Sequence, residues 1–187
     1  MTTTKLKNEI KTKKVEVVVE GIRFSGNLNT GTWSKGKFYP QWVWASMAPV
    51  VTKELRAKIE AAVKSGIKRG YSIIGDISVD KFMREFVDDA KTDGGKTFTR
   101  FHAGCKRCEG KDFISHPDWM VEAFRKALGV QKGVGFDLIA STTIFLGQKW
   151  TGGWRAVGPE AEARDYEGEQ FCVFHGVSKY HDTEVVD

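Results

Sequence analysis

The chain has 187 residues, 41% hydrophobic and 12% aromatic, enough for one domain with a buried core. It contains no run of 18 apolar residues, which excludes a transmembrane helix. Its polar start, MTTTKLKNEIKTKK, lacks the apolar stretch of a secretory signal, so an intracellular, cytoplasmic protein is expected. The net charge of +5 is unevenly spread: residues 159–187 hold eight acids and two bases, net −6, so residues 1–158 carry +11. A basic body with an acidic end fits a polyanionic partner for the body, against the plainer reading of solvated surface charge.

In chain order, residues 1–14, with five lysines and one glutamate, read as a basic flexible arm. VEVVVEGIRF (15–24) alternates as a half-buried strand. SGNLNTGTWSKGK (25–37), rich in Gly, Asn and Ser, reads as a turn or long loop. KFYPQWVWASM follows as a second strand, with Pro40 placing its start at an edge or a bulge. The pattern predicts a helix over 52–70, with Thr52 as N-cap, Leu55, Ile59, Ala62, Val63 and Ile67 inward, and Gly70 as the stop. A second, short helix is predicted over 78–90, with Ser78 capping and Phe82, Phe86 and Val87 inward. KTFTRFHAG (96–104) returns to alternation, and 116–129 predicts a third helix ended by Gly129. Residues 135–158 read as two long strands joined at Thr151-Gly152-Gly153, a hairpin signal. The order does not alternate as βαβ units. It predicts a mostly β or α+β domain, an antiparallel OB-like small barrel with helical insertions, over 15–176, followed by a short acidic tail over 177–187.

All three cysteines fall into two paired motifs, Cys105-x-x-Cys108 and Cys172-x-x-His175. Two-residue spacers let tight turns aim paired side chains at one ion, and three thiolates with an imidazole suit zinc. A structural zinc site, Cys105, Cys108, Cys172 and His175, is therefore expected. His102 and His116 are alternative fourth ligands, and three reduced cysteines are the plain alternative. No phosphate-binding glycine loop, nucleophile elbow or zinc-hydrolase motif is present. Two acidic clusters, Asp76 with Asp80 and Glu85 with Asp88 and Asp89, are what a two-metal nuclease would need, but Glu85, Asp88 and Asp89 read first as the solvated face of the short helix.

Residues 38–44 hold four aromatic side chains. On an extended strand Phe38, Trp42 and Trp44 share one face, and Tyr39, Val43, Ala45 and Met47 share the other. For an isolated strand, tryptophans in the core would be the default. The surroundings shift the balance. Trp33, Lys35 and Lys37 extend an aromatic and basic mixture into the preceding segment, Lys149, Trp150, Trp154 and Arg155 repeat it around TGG, and Arg100, Lys106 and Arg107 add charge. Rings on which bases stack, interleaved with cations that track phosphates, are what single-stranded nucleic acid requires.

The layout resembles the single-stranded DNA-binding proteins of tailed bacteriophages. The likeness rests on VEVVVEGIRFSG, KGKFYPQWVWASM, the helix KELRAKIEAAVKSGIKRG and the closing FDLIASTTIFLGQKWTGGWRAVG, across roughly residues 15–158. It implies an OB fold and binding of single strands without sequence specificity in DNA replication or recombination. It also implies contacts of an acidic C-terminal segment with replication proteins. The chain is thus read as a DNA-binding protein rather than an enzyme, with no membrane partner and with room for a homo-oligomer. The competing readings are a protein-interaction module using the aromatic patch, such as a phage accessory or host-inhibiting factor, and a metal-dependent nuclease.

Overall fold

The computed structural model describes residues 8–73, 76–89, 105–108, 116–157 and 161–182, with side chains left aside at 106, 150–157, 161–167 and 180–182. The expected strand at 96–104 lies outside these residues.

The chain opens with a three-stranded antiparallel meander: β1 (Lys11–Val19), β2 (Ile22–Ser34) and β3 (Lys37–Pro49). Two tight hairpins make it. Glu20-Gly21 have φ of 49° and 78°, between the paired Val19 and Ile22, and Lys35-Gly36 have φ of 47° and 73°, between the paired Ser34 and Lys37. Positive φ at both central residues matches the twist of the flanking strands, and glycine at the second removes the steric cost. Three sequence expectations are corrected here. The strand read over 15–24 is broken at Glu20-Gly21, and the loop read over 25–37 is mostly strand β2. The arm read over 1–14 gives way to β1 from Lys11.

β3 continues into α1 (Lys53–Lys68), where the Thr52 hydroxyl accepts from Leu55 N–H at 3.2 Å, the capping expected. Leu55, Ile59, Ala62 and Val63 are buried as predicted. Ile67 is 42% exposed, and Gly66 takes the buried place. The helix runs so close to the second sheet that a Cβ at 66 would stand 2.9 Å from Glu169 Oε2, which turns Ile67 outward. A two-residue strand, β4 (Ser72–Ile73), follows. Ser78 caps α2 (Val79–Phe82), whose chain continues through a wider π-type turn over Met83–Asp88. α3 (Asp118–Ala127) comes next, then β5 (Phe136–Ala140), β6 (Thr143–Val157), β7 (Ala161–Cys172) and β8 (Gly176–Asp182). β8 occupies the start of the segment read as a tail.

Among the described residues the strands form two open four-stranded sheets, ordered β1-β2-β3-β5 and β4-β6-β7-β8. The α+β class holds, but the closed OB-like barrel does not. β5 joins β3 in parallel, Val43 opposite Phe136 through Met47 opposite Ala140, so the first sheet ends in two edges. A parallel pairing needs a long crossover, and α1, α2 and α3 lie in it. The expected hairpin at TGG is also corrected. β6 runs through Thr151-Gly152-Gly153 with a register shift between Trp150 and Trp154, and pairs antiparallel with β7 out to Val157 opposite Ala161. β5 passes into β6 within two residues, where Ser141 N–H donates to Met47 O at 2.9 Å and Val173 N–H to Thr142 O at 3.0 Å.

One core lies between the layers. Phe24, Ala45, Met47, Leu138 and Ala140 of the first sheet meet Ile144, Leu146 and Phe171 of the second, with Ile59, Phe82, Val87, Met120 and Phe124 from the helices. Phe24 and Phe124 are fully buried, edge to face at 4.8 Å, and each side chain contributes about 1.5–3 kcal/mol of burial. No described helix is long and apolar enough to cross a membrane.

Candidate functional site

The two cysteine motifs converge. Cys105 and Cys108 are joined by one 3₁₀ turn, Lys106–Cys108, closed by Cys108 N–H donating to Cys105 O at 2.9 Å. The turn puts their sulfurs 3.3 Å apart. Cys172 ends β7 opposite Gly176, and the intervening turn aims His175 back at the thiols. His175 Nδ1 lies 3.5, 3.0 and 3.7 Å from the sulfurs of Cys105, Cys108 and Cys172, and Cys108 Sγ is 3.7 Å from Cys172 Sγ. All four donor atoms fall within 4.8 Å of one another, the cysteines buried and the histidine exposed.

The set has the shape of a metal centre. A tetrahedral ion with metal–sulfur bonds of about 2.3 Å puts neighbouring sulfurs ~3.8 Å apart. The 3.3 Å between Cys105 and Cys108 is far longer than a disulfide of about 2.05 Å, and all three cysteines are free. Without a cation the thiols work against one another. The close contact with Cys108 holds Cys105 well below the usual thiol range. The nearness of Cys105 raises Cys108 far above it and pushes Cys172 up to about 11, with burial adding to both. A divalent cation removes that conflict and lets all three bind as thiolates. Four protein donors also close the coordination shell, as in structural rather than catalytic sites.

This centre is wired to the core. Phe174, between the last two ligands, lies 5.7 Å from the rings of both Phe24 and Trp119, and Trp119 stands edge-on to His175 at 6.2 Å. Of the alternative ligands, His116 accepts instead from Ala140 N–H at 3.2 Å, and His102 lies outside the described residues. No other group of three or more potential metal ligands occurs among those residues. Asp88 is bound by Arg56 at 2.8 Å, and Glu85 lies 3.8 Å from Lys81.

The aromatic residues gather at the tip of the β2–β3 hairpin. Ala45 and Met47 face the core, fully or almost fully buried, while Trp33, Tyr39 and Trp42 are 53%, 39% and 37% exposed. Trp44 is half-buried and Phe38 packs on Trp33 with ring centres 5.2 Å apart. Pro40 sits in a bulge as expected: Thr30 pairs with Val43 and Thr32 with Tyr39, so Gly31 alone opposes Pro40, Gln41 and Trp42. The bulge resets the alternation and brings Tyr39 and Trp42, three apart, to one cleft. That cleft has a volume of about 330 Å³ and is lined by Thr32, Trp33, Ser34, Tyr39, Trp42 and Asp137. Lys35 and Lys37 are exposed at the hairpin tip, and Lys37 Nζ stands 5.5 Å above the Tyr39 ring.

Two further residues fix the cleft. Gly135 lets the Trp42 ring lie against the backbone, since a Cβ there would stand 2.5 Å from it. Asp137 Oδ2 accepts the Trp42 Nε1 proton at 2.7 Å. Asp137 was missed in the sequence, where its only signal is one acid in the apolar strand FDLIA. The remaining expected residues are not gathered here. Lys149, exposed, and Trp150, Trp154 and Arg155 belong to β6 of the second sheet, the last three with only their backbone described. Arg107 is exposed on the Cys105–Cys108 turn with Lys106 beside it, and Arg100 lies outside the described residues.

No protein-family model matches the chain, and no match was found among curated proteins or among solved structures.

Proposed function

We propose that this protein binds single-stranded DNA without strict sequence specificity through the outer tip of the β2–β3 hairpin, in replication or recombination, and that its Cys3His cluster holds a structural zinc ion. The observation that carries the reading is the exposure of Trp33, Tyr39 and Trp42 around one open cleft, with Lys37 over the Tyr39 ring and Lys35 exposed in the adjoining turn. Large exposed aromatic groups mark a partner surface. Stacking of a base on such a ring contributes ~1–3 kcal/mol and depends little on sequence, while the two lysines meet the backbone phosphates. The zinc ion ties the β7–β8 turn to the segment ahead of α3 and acts on stability rather than on chemistry.

The test is a tryptophan fluorescence titration with long oligothymidylate at two salt concentrations. Strong quenching that weakens as salt rises is the expected result. Absence of binding at low salt overturns the reading and leaves a protein partner as the occupant of the aromatic patch.

A further inference from the structure

Resting on the single-strand reading, we infer that the Trp33–Tyr39–Trp42 cleft is a guanine-selective base pocket in which Asp137 reads the hydrogen-bond donors of the base. A carboxylate is out of place on a surface that only stacks bases and attracts phosphates, because it repels the backbone. Here it is built in: Asp137 lines the cleft, and its Oδ2 is held by the Trp42 indole N–H at 2.7 Å. Trp42 is in turn seated against Gly135. Orientation by the indole leaves Oδ1 and the remaining lone pairs to accept from a ligand, since an ionised carboxylate accepts only.

The four bases answer this acceptor differently. Guanine presents two adjacent donors, N1–H and the N2 amino group, on its Watson–Crick edge, and both can meet one carboxylate. Adenine and cytosine each set a single amino group beside a ring nitrogen acceptor, which the carboxylate repels. Thymine sets one N–H between two carbonyls. The cleft volume of about 330 Å³ lies in the range of small-ligand pockets. Its aromatic walls take the faces of the purine while Lys35 and Lys37 stand near for the flanking phosphates. A methylated ammonium is the other ligand that aromatic walls and a carboxylate attract, but the exposed Lys37 ammonium already over Tyr39 disfavours a second cation there.

The experiment uses the full chain and fluorescein-labelled oligothymidylates that are all-dT or carry one central dG or one central deoxyinosine, which keeps N1–H and lacks the 2-amino group. Anisotropy gives the affinities at one salt concentration. The expected order is dG above deoxyinosine above dT, with dG at least about fivefold tighter than dT, the lower end for a bidentate contact to a base. In Asp137→Asn the dG-to-dT ratio falls toward one, because the amide nitrogen meets the donors of guanine. Equal affinities for the three oligonucleotides in the native protein overturn the inference while leaving single-strand binding intact. Displacement of the all-dT oligonucleotide by choline chloride, but not by sodium chloride of equal ionic strength, also overturns it and gives the cleft to cations. Failure of all three oligonucleotides to bind sinks the single-strand reading itself.

Discussion

His175 Nδ1 stands 3.0 Å from Cys108 Sγ although 67 positions separate the two residues. An ion shared by these groups closes a long loop that the apolar core alone holds less firmly. The purified chain is expected to carry one equivalent of zinc by elemental analysis. Its removal by a chelator, or the change Cys108→Ser, should destabilise the fold by at least ~3 kcal/mol, well below what zinc supplies to a domain with no core of its own. For a chain of this size that lowers Tm by roughly 6–12 °C. Calorimetry with and without chelator checks it, and an unchanged Tm would speak against a bound metal.

Arg69, at the end of α1, pairs with Glu169 of β7, whose side chain is fully buried while the arginine is 38% exposed. Among the described residues the other oxygen of Glu169 has no hydrogen-bond partner, so the carboxylate depends heavily on that guanidinium. Removing one partner of a buried pair costs about 3–5 kcal/mol, and the exposure of Arg69 lowers this toward ~2–3 kcal/mol by letting water reach the site. Arg69→Ala should therefore unfold at clearly lower urea than the native chain, and Glu169→Gln should cost less, because it removes the buried charge along with the pair. Urea melts of the two variants give the comparison. Equal and small losses would mean that the pair is a surface contact.

Gly135→Ala should disturb the cleft without disturbing the core. The new methyl would overlap the Trp42 ring, 2.5 Å from its atoms, and the ring has solvent on its other side to move into. The indole then leaves Asp137, with an altered tryptophan emission maximum and weaker DNA binding as the expected readouts. A stability loss under ~1.5 kcal/mol fits displacement of an exposed side chain, since larger losses belong to core and buried-polar changes.

The double change Lys35→Ala with Lys37→Ala removes two cations at the tip of the β2–β3 hairpin. If each meets one phosphate, the slope of log affinity against log salt falls by about 1.4, at ~0.7 per phosphate for single strands. Affinity falls at low salt and converges with the native protein at high salt. A parallel salt plot for the double variant would remove this edge of the cleft from the interface.

Much of the local structure was legible because its causes are local. Thr52 and Ser78 cap helices because their hydroxyls reach N–H groups three residues on, and Pro40 marks a bulge because it has no N–H to donate. The Cys and His spacings named all four members of the cluster. β2 was misread because Gly, Asn and Ser suggest a loop. Its Asn29 is almost fully buried and works as a strand residue, accepting from Thr12 Oγ1 at 2.7 Å and donating to Trp44 O at 3.4 Å. Glycines beside Trp150 and Trp154 mimic a hairpin turn, yet they lie inside β6. The pairing of β3 with β5, and with it the partnership of Trp42 and Asp137, depends on contacts across 95 positions that no local pattern encodes.

That parallel pairing also joins local and distant parts of the chain. The β1–β2–β3 meander and the β6–β7–β8 meander each close by short connections and need little chain entropy to form. β5 reaches β3 only by closing the long loop that holds the three helices, and that pairing completes both the aromatic cleft and the passage between the sheets. Loop closure of this kind slows folding far more than it weakens the folded state. The cleft therefore joins two ranges of the chain: its tryptophans come from one local hairpin, and its carboxylate comes from a strand 95 positions away.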